Sequence, residues 1–196
     1  MNKIRKRLIE IIKYLLLLIV ILFITTYVIQ LGFVSGKSME PSFYNSELLV
    51  IYKFKPDIKK GDVVSFTYEQ AQQQYLTDVF GQQYANQNVN KLGERHIKRV
   101  EGLPGDHIKV AVVPKKGINY NQLFINNELV LEFPEQVPPQ EYTLNSDQYF
   151  VLGDNRDVSF DSLYHGPITK NEIIGKVVYH TPPLKKEGNN ESRNNY

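Results

Sequence analysis

A serine and a lysine are the residues whose setting best suggests catalytic chemistry. Ser38 follows closely on a long apolar run, and Lys98 lies between Ile97 and Val100 in a strand-like segment. Alternation along a strand would place Lys98 on an apolar face and Arg99 on the opposite one. Burial lowers the pKa of a lysine amine, and a neutral amine is able to take the proton from a serine hydroxyl. Since most strand lysines are solvated, spacing alone leaves this pair as one hypothesis among several.

Other hydrolytic sites find less support. No serine lies in G-x-S-x-G, the usual setting of a Ser-His-Asp nucleophile, and S-x-x-K is absent. No H-E-x-x-H or other close ligand spacing occurs, and there are no cysteines. The sequence therefore predicts no metal site and no cofactor. We expect structural or exposed roles for the four histidines, which have ordinary polar neighbours: His96, His107, His165 and His180.

Composition narrows the class of protein. The 196 residues carry a formal net charge of +2 with no extended basic stripe, so nucleic acid is not an expected partner. A mean hydropathy of −0.34 and 42% hydrophobic residues fit a globular body with one core or two small lobes, once the apolar run is set aside. The lack of cysteine excludes thiol catalysis and disulfides and suits a bacterial surface location.

The N-terminal region predicts a membrane anchor. Residues 1–13 contain five basic residues and one glutamate, and no charge follows from Tyr14 to Leu31. As a helix these 18 residues would span about 27 Å, close to the roughly 30 Å of a hydrocarbon core. We expect an anchor at 14–33, with residues 1–13 in the cytoplasm and residues 34–180 outside the cell, because positive charge stays on the cytoplasmic side.

A cleaved secretory signal is the alternative to an anchor. It would need a small-x-small exit, yet the first alanine in the chain is Ala71. Val34-x-Gly36 is the best available exit, and cleavage there would leave Ser38 almost at a new terminus. We therefore expect an uncleaved single-pass protein in contact with the lipid bilayer.

The body reads as mostly β, an antiparallel-sheet catalytic body on one transmembrane helix, because β-branched and aromatic runs alternate with turn residues. No stretch of it shows convincing helical periodicity. Residues 69–92, rich in Gln, Asn and Tyr, are interpreted as a polar insertion, a solvated loop or long hairpin of no assigned function. A small β subdomain is expected at 114–145 and a polar tail at 181–196.

The predicted strands are 47–52, 63–68, 96–100, 107–113, 123–125, 128–131, 148–152 and 173–179. A tight turn is predicted at Asn126-Asn127 and an irregular connector at 134–141.

Four motifs in order resemble the bacterial type I signal peptidases, membrane-anchored Ser/Lys endopeptidases that remove signal peptides from exported proteins. The resemblance runs from the anchor to about residue 179, outside the 69–92 segment, and a single anchor is similar to the Gram-positive enzymes. The motifs are Gly36-Lys-Ser38-Met39-Glu-Pro41, Gly61-Asp62-Val-Val, Lys98-Arg-Val-Glu-Gly-Leu-Pro-Gly105-Asp106 and Gly153-Asp154-Asn155-Arg156-Asp-Val-Ser159-Phe-Asp161-Ser162.

By motif position, the resemblance implies that Ser38 is the nucleophile and Lys98 its general base. The Ser38 N–H would stabilise the oxyanion, and Ser159 would hydrogen-bond the lysine amine. Asp154 and Asp161 would hold this region together without reacting.

The resemblance also implies that Met39 and Pro41 shape the site beside the nucleophile. Small, shallow pockets would restrict cleavage to small-x-small sequences in the signal peptides of exported preproteins. Val34, Met39 and Ile97 are the expected walls of these pockets, and a monomer is expected.

Two positions depart from the family pattern. Gly36 stands where some members have a serine that completes the oxyanion hole, so a backbone or water donor is expected instead. Leu163 stands where the family usually has an arginine partner for Asp161, and Arg99 or Arg156 is the candidate replacement.

The residues present disfavour two alternatives to the enzyme. A catalytically silent relative that assembles surface proteins such as pili would tend to lose Ser38 or Lys98, and both are present. A self-cleaving Ser/Lys repressor does not fit the apolar run or the lack of a DNA-binding helical domain.

Overall fold

The fold is that of a computed structural model, which describes residues 3–68, 71–88 and 94–182. One long helix precedes a body made largely of antiparallel strands, as the sequence predicts. The elements in chain order are α1 (Lys3–Phe23), a π-helical turn (Ile24–Val28), β1 (Ile29–Phe33), β2 (Leu48–Tyr52), β3 (Val63–Thr67), α2 (Ala71–Phe80), α3 (Gln82–Asn88), β4 (Arg95–Gly102), β5 (His107–Lys115), β6 (Ile118–Ile125), β7 (Glu128–Pro134), β8 (Gln140–Thr143), β9 (Gln148–Leu152), α4 (Ser162–His165), β10 (Ile168–Thr169) and β11 (Ile173–His180).

No residue of the N-terminal helix α1 is buried against the body of the protein. An 18-residue window within Lys3–Val28 has a mean hydropathy of 2.6, and the segment is long and apolar enough to cross a membrane. Residues 29–33, which the sequence analysis placed in the anchor, instead form β1 and pair along their whole length with β2. The apolar run therefore supplies both a helix and the first strand, because alternate residues of β1 pack on the body.

The strands form two sheets. The larger sheet has the order β1-β2-β11-β3-β4-β9-β10, and the smaller has the order β7-β6-β5-β8. The smaller sheet spans residues 107–143, so it begins earlier than the small β subdomain expected at 114–145. Asn126 and Asn127 form the predicted tight turn between β6 and β7, both with positive φ (53° and 67°).

Three clusters of buried residues hold the body together. The first joins the smaller sheet to β9 and α4 and contains Ile108, Leu123 and Phe150. The second packs around Phe66, and the third lies between the loop after β1 and the larger sheet. The third cluster matters most for the site, because it fixes the loop that contains Ser38.

The expectation of a loop or hairpin at 69–92 was wrong. Residues 71–80 and 82–88 are helical, and Leu76 and Ala85 are buried. The sequence does not indicate these helices, because many of their residues are glutamine or asparagine and only a few positions pack inward. Residues 69–70 and 89–92 lie outside the described residues, as does the predicted tail beyond residue 182. The irregular connector predicted at 134–141 also overlaps a strand, since β8 begins at Gln140.

Candidate active site

Ser38 lies in the loop between β1 and β2. The loop is tied down by Met39 and Phe43, which are buried in the third cluster, and the Phe43 N–H donates to the Met39 carbonyl at 2.9 Å. Gly36 has a φ of +92°, a backbone conformation that glycine adopts more easily than a residue with a side chain. Its N–H donates to Asn45 Oδ1 at 3.1 Å. The Ser38 hydroxyl is thus presented from an anchored loop.

Lys98 lies in β4 opposite Val64 and is only 3% exposed. Its Nζ donates hydrogen bonds to Ser38 Oγ at 2.9 Å and to the Ile97 carbonyl at 3.1 Å. The structure therefore brings together the two residues that the sequence analysis paired. A serine hydroxyl within hydrogen-bond reach of a buried amine is the arrangement that nucleophile activation requires.

Asp161 is buried next to this pair and accepts two backbone hydrogen bonds. The Gly153 N–H donates to one carboxylate oxygen at 2.9 Å, and the Leu163 N–H at the start of α4 donates to the other at 3.2 Å. Burial raises the pKa of the Asp161 carboxyl, although these two N–H groups, Ser159 and the protonated form of Lys98 partly oppose the rise. Asp161 therefore joins β9, the segment 153–161 and α4.

Ser159 is buried beside Asp161 but makes no hydrogen bond of ordinary geometry among the described residues. It lies close enough to Asp161 to lower the pKa of that carboxyl. The hydrogen bond between Ser159 and the lysine amine, which the resemblance implies, is thus not formed in this structure. Ser159 packs closely against Gly153, and a Cβ at position 153 would lie only 2.6 Å from the Ser159 Cβ. Only glycine therefore fits at position 153.

The two candidate arginines bind other carboxylates. Arg99 donates to both oxygens of Asp154, at 2.8 and 2.6 Å, and Arg156 lies 3.4 Å from Glu101. Burial raises the pKa of Asp154, but the hydrogen bonds and charge of Arg99 outweigh it, so the net shift is downward. Neither arginine forms a salt bridge with Asp161 in the described part of the chain, and the two backbone N–H groups take that place.

A groove of about 160 Å³ runs up to Ser38 and Lys98. Its apolar walls include Leu49, Ile51, and two of the predicted pocket residues, Val34 and Ile97. The third, Met39, is 2% exposed and is not among the residues that line the groove. A second, more open depression also reaches Ser38 and Lys98, with Val158 and Phe160 among its walls.

His165, at the end of α4, is a buried residue near the site. It is 1% exposed, and its Nε2 is hydrogen-bonded to the Tyr68 hydroxyl. Burial lowers the pKa of this histidine well below its usual value, so the ring is neutral at pH 7. This placement agrees with the structural role that the sequence analysis expected for the histidines.

Three contributions to the site were not predicted from the sequence. The Asn155 N–H donates to the Ser38 carbonyl at 3.0 Å, and Gly153 fits where no side chain has room. Both belong to a motif that the resemblance had singled out, but a backbone contact is visible only when the fold places the two segments together. The other is Ser65, a buried groove residue with no flanking signal in the sequence.

Comparisons with known proteins point to one family. The family model described as "Signal peptidase, peptidase S26" matches residues 7–181. Signal peptidase I of Leptolyngbya laminosa is 30% identical over 173 residues, covering 84% of this chain and 74% of that protein. Signal peptidase I P of Bacillus subtilis subsp. natto is 29% identical over 174 residues, with 82% and 81% covered.

A solved structure is also similar. The crystal structure of a signal peptidase I from Enterococcus faecalis V583 matches 62% of this chain and 97% of its own, with 21% identity and a TM-score of 0.36. The family assignment rests on the match that spans residues 7–181 and on the relatives of nearly 30% identity. The chain belongs to the peptidase S26 family of signal peptidases.

Proposed function

We propose that this chain is a membrane-anchored serine endopeptidase that removes signal peptides from exported preproteins by means of a Ser38/Lys98 dyad. The observation that most supports it is the 2.9 Å hydrogen bond between Lys98 Nζ and Ser38 Oγ, formed by a lysine that is 3% exposed. Burial disfavours the charged form of an amine, and only the neutral form is able to accept the serine proton.

In the proposed reaction, neutral Lys98 takes the proton of the Ser38 hydroxyl as Oγ attacks the scissile carbonyl. The Ser38 N–H donates to the oxygen of the tetrahedral intermediate, and the lysine gives its proton to the leaving amine. Water then attacks the acyl-enzyme with Lys98 again as base, which releases the signal peptide and regenerates Ser38. Asp161, Asp154 and Ser159 serve this step by holding the segment beside Ser38 in place.

The shape of the groove supports the proposal of cleavage after small-x-small sequences. Alternate side chains of an extended peptide face the same side, so the first and third residues before the scissile bond would face the groove together. The aliphatic side chains of Val34, Leu49, Ile51 and Ile97 leave space for small groups and exclude large ones.

We further propose that the helix Lys3–Val28 anchors the protein in the cell membrane with its N-terminus in the cytoplasm. Four basic residues near its start would remain on the cytoplasmic side, which places the body outside the cell. The enzyme would act as a monomer on signal peptides delivered within the same bilayer.

The test is cleavage of a preprotein with a small-x-small site in detergent micelles by the intact chain and three variants. Ser38→Ala and Lys98→Ala should lose cleavage by at least about 10³-fold while they keep their thermal unfolding transition. Lys109→Ala, a half-exposed strand lysine paired with Glu141, is the matched control and should cut normally.

Native-rate cleavage by Lys98→Ala would show that another base acts. No cleavage by the intact chain on several preproteins would instead favour the non-enzymatic assembly role.

A further inference from the structure

A hydroxyl group lies buried in the floor of the groove without a partner. Ser65, in β3, is 0% exposed, and it is one of the residues that line the groove. Its Oγ has no hydrogen-bond partner in the parts of the chain that the structure describes. A hydroxyl taken out of water costs free energy until it finds a partner, so this one is not explained by the fold.

The surroundings of Ser65 are apolar. It lies opposite Ile97 on β4 and opposite Gly175 on β11, and directly opposite residues share one face of a sheet. Gly175 contributes no side chain, and Ile51 lies in the space that one would fill, with Cγ2 2.8 Å from an ideal Cβ. The hydroxyl is therefore a single polar group between aliphatic side chains, and an alanine or valine would suit this floor better.

The position along the groove indicates which substrate residue would meet this hydroxyl. The residue just before the scissile bond must lie beside Ser38 Oγ and Lys98 Nζ, where the reaction takes place. Ser65 lies on the neighbouring strand β3, opposite Ile97, the residue that precedes Lys98 in β4. The next inward-facing side chain of an extended peptide lies about 7 Å away, and it belongs to the third residue before the bond.

We propose that the Ser65 hydroxyl is a specificity determinant that selects signal peptides with serine at the third position before the cleavage site. The Ser65 hydroxyl and the hydroxyl of the substrate serine would form a hydrogen bond in which either is able to donate. A serine side chain is also small enough to fit in the groove. The hydroxyl is shielded from water in the free protein, so the walls must part slightly for the peptide to reach it. This inference rests on the proposed function and extends it to the class of substrate.

The experiment uses the full chain in detergent micelles and three peptides that differ only at the cleavage site. One has alanine at both inward-facing positions, and the others have serine at the third or at the first position before the bond. In the wild type, kcat/KM should be higher for serine than for alanine at the third position. In Ser65→Ala this ratio should fall by about two- to tenfold, the size of one net hydrogen bond.

Controls separate this effect from general damage. Ser146→Ala changes an exposed serine in the turn before β9 and should keep the wild-type ratio. Peptide binding to Ser38→Ala, with and without Ser65→Ala, measures the same preference as a ratio of Kd values without any catalytic step.

The outcomes are distinct. An unchanged ratio in Ser65→Ala, or an equal change for all three peptides, would overturn the role of this hydroxyl. A serine preference at the first position alone would overturn its assignment to the third. Cleavage of the all-alanine peptide tests the proposed function separately, and a chain that cuts none of the peptides would overturn both.

Discussion

The backbone N–H of Asn155 donates a hydrogen bond to the carbonyl oxygen of Ser38 at 3.0 Å. Gly153 lies against the same carbonyl, because a Cβ built on it would be 2.6 Å from that oxygen and would overlap Ser159 Oγ. The segment 153–155 therefore holds the loop that contains Ser38 through its backbone. The position of Ser38 relative to Lys98 depends on this contact as well as on the loop itself.

Gly153→Ala should inactivate the enzyme without unfolding it. The added methyl must push apart Ser38 and Ser159, and displacement of a reacting group by about 1 Å typically costs about 10²-fold in rate. We expect kcat to fall by about that factor, with a smaller change in KM, as measured by steady-state peptide cleavage. Gly105→Ala is the control, since its positive φ adds strain but no atom lies within 4 Å of its Cβ. Equal loss of kcat in both variants would contradict this role of Gly153.

Asp154→Asn should lower stability by about 1–3 kcal/mol at pH 7, because it weakens a partly buried, bidentate hydrogen-bonded pair with Arg99. The pKa of Asp154 is lowered from 3.8 in the folded protein. Its stabilisation is therefore fully present above pH 3.8 and is lost as the pH falls through the lowered value. Thermal unfolding in micelles at a series of pH values should show the difference from wild type shrinking in acid. A difference that is constant with pH would exclude the ion pair as its source.

Asp161→Asn should show the opposite pH dependence. Burial raises the pKa of Asp161, so the folded protein binds this proton at a higher pH than the unfolded chain. The carboxylate's contribution to the free energy of unfolding therefore increases as the pH falls from the raised pKa towards 3.8. At pH 7 we expect a loss of about 1–3 kcal/mol, because an amide accepts from only one of the Gly153 and Leu163 N–H groups.

The stability difference between wild type and Asp161→Asn should consequently widen as the pH is lowered. The same unfolding series measures it, with Asp147→Asn, an exposed carboxylate, as the control. A difference that shrinks in acid would mean that the pKa of Asp161 is lowered instead.

Tyr75 on α2 braces α4 and should matter for both stability and rate. Its ring lies 2.9 Å from an ideal Cβ on Gly166, and its hydroxyl donates to Gln140 Oε1. Tyr75→Ala removes this support, and we expect a loss of about 2–4 kcal/mol and roughly tenfold in kcat as the Asp161 segment loosens. Tyr75→Phe keeps the ring and should retain kcat.

Gln74→Ala, on the exposed side of the same helix, is the control for changes in α2 itself. Cleavage kinetics and thermal unfolding measured on the three variants separate the two effects. Wild-type kcat in Tyr75→Ala would show that the brace serves stability alone.

The missing arginine has a physical explanation in the same region. Leu163 belongs to the first buried cluster, and Phe80 of α2 packs against that cluster. Leu163 is 5% exposed, so an arginine at this position would have to enter an apolar cluster. Asp161 is held instead by the two backbone N–H groups of Gly153 and Leu163.

The sequence predicted the strands whose residues are β-branched or aromatic, and these include β2, β3, β9 and β11 almost to the residue. It did not predict β1, because an apolar strand that continues an apolar helix shows no change in composition. The helices α2 and α3 were missed because their inward positions are few and their polar residues are of turn-forming types. The packing of α2 on α4, and of α3 on α2, supplies the stabilisation that propensity does not.

The site was predictable where it depends on side-chain chemistry. Ser38 and Lys98 were named from their types and motifs, and their 2.9 Å hydrogen bond links residues that are distant in sequence. The same reasoning could not assign partners to Arg99 and Arg156, because each lies near more than one carboxylate in the motifs. Contacts made by the backbone of Gly153 and Asn155 depend on the relative position of two loops, which local sequence does not encode.

The join between the N-terminal helix and β1 has a mechanical consequence. The π-helical turn ends at Val28, β1 begins at the next residue, and Lys53 donates its N–H to the Val28 carbonyl at 2.8 Å. Gly32, a groove residue, follows only about 13 Å further along the strand. In a chain anchored as proposed, this short, hydrogen-bonded connection limits the height of the groove above the lipid. The enzyme would then select preproteins by distance. It would cut only those whose cleavage site lies as far from their own apolar segment as the groove lies from the lipid.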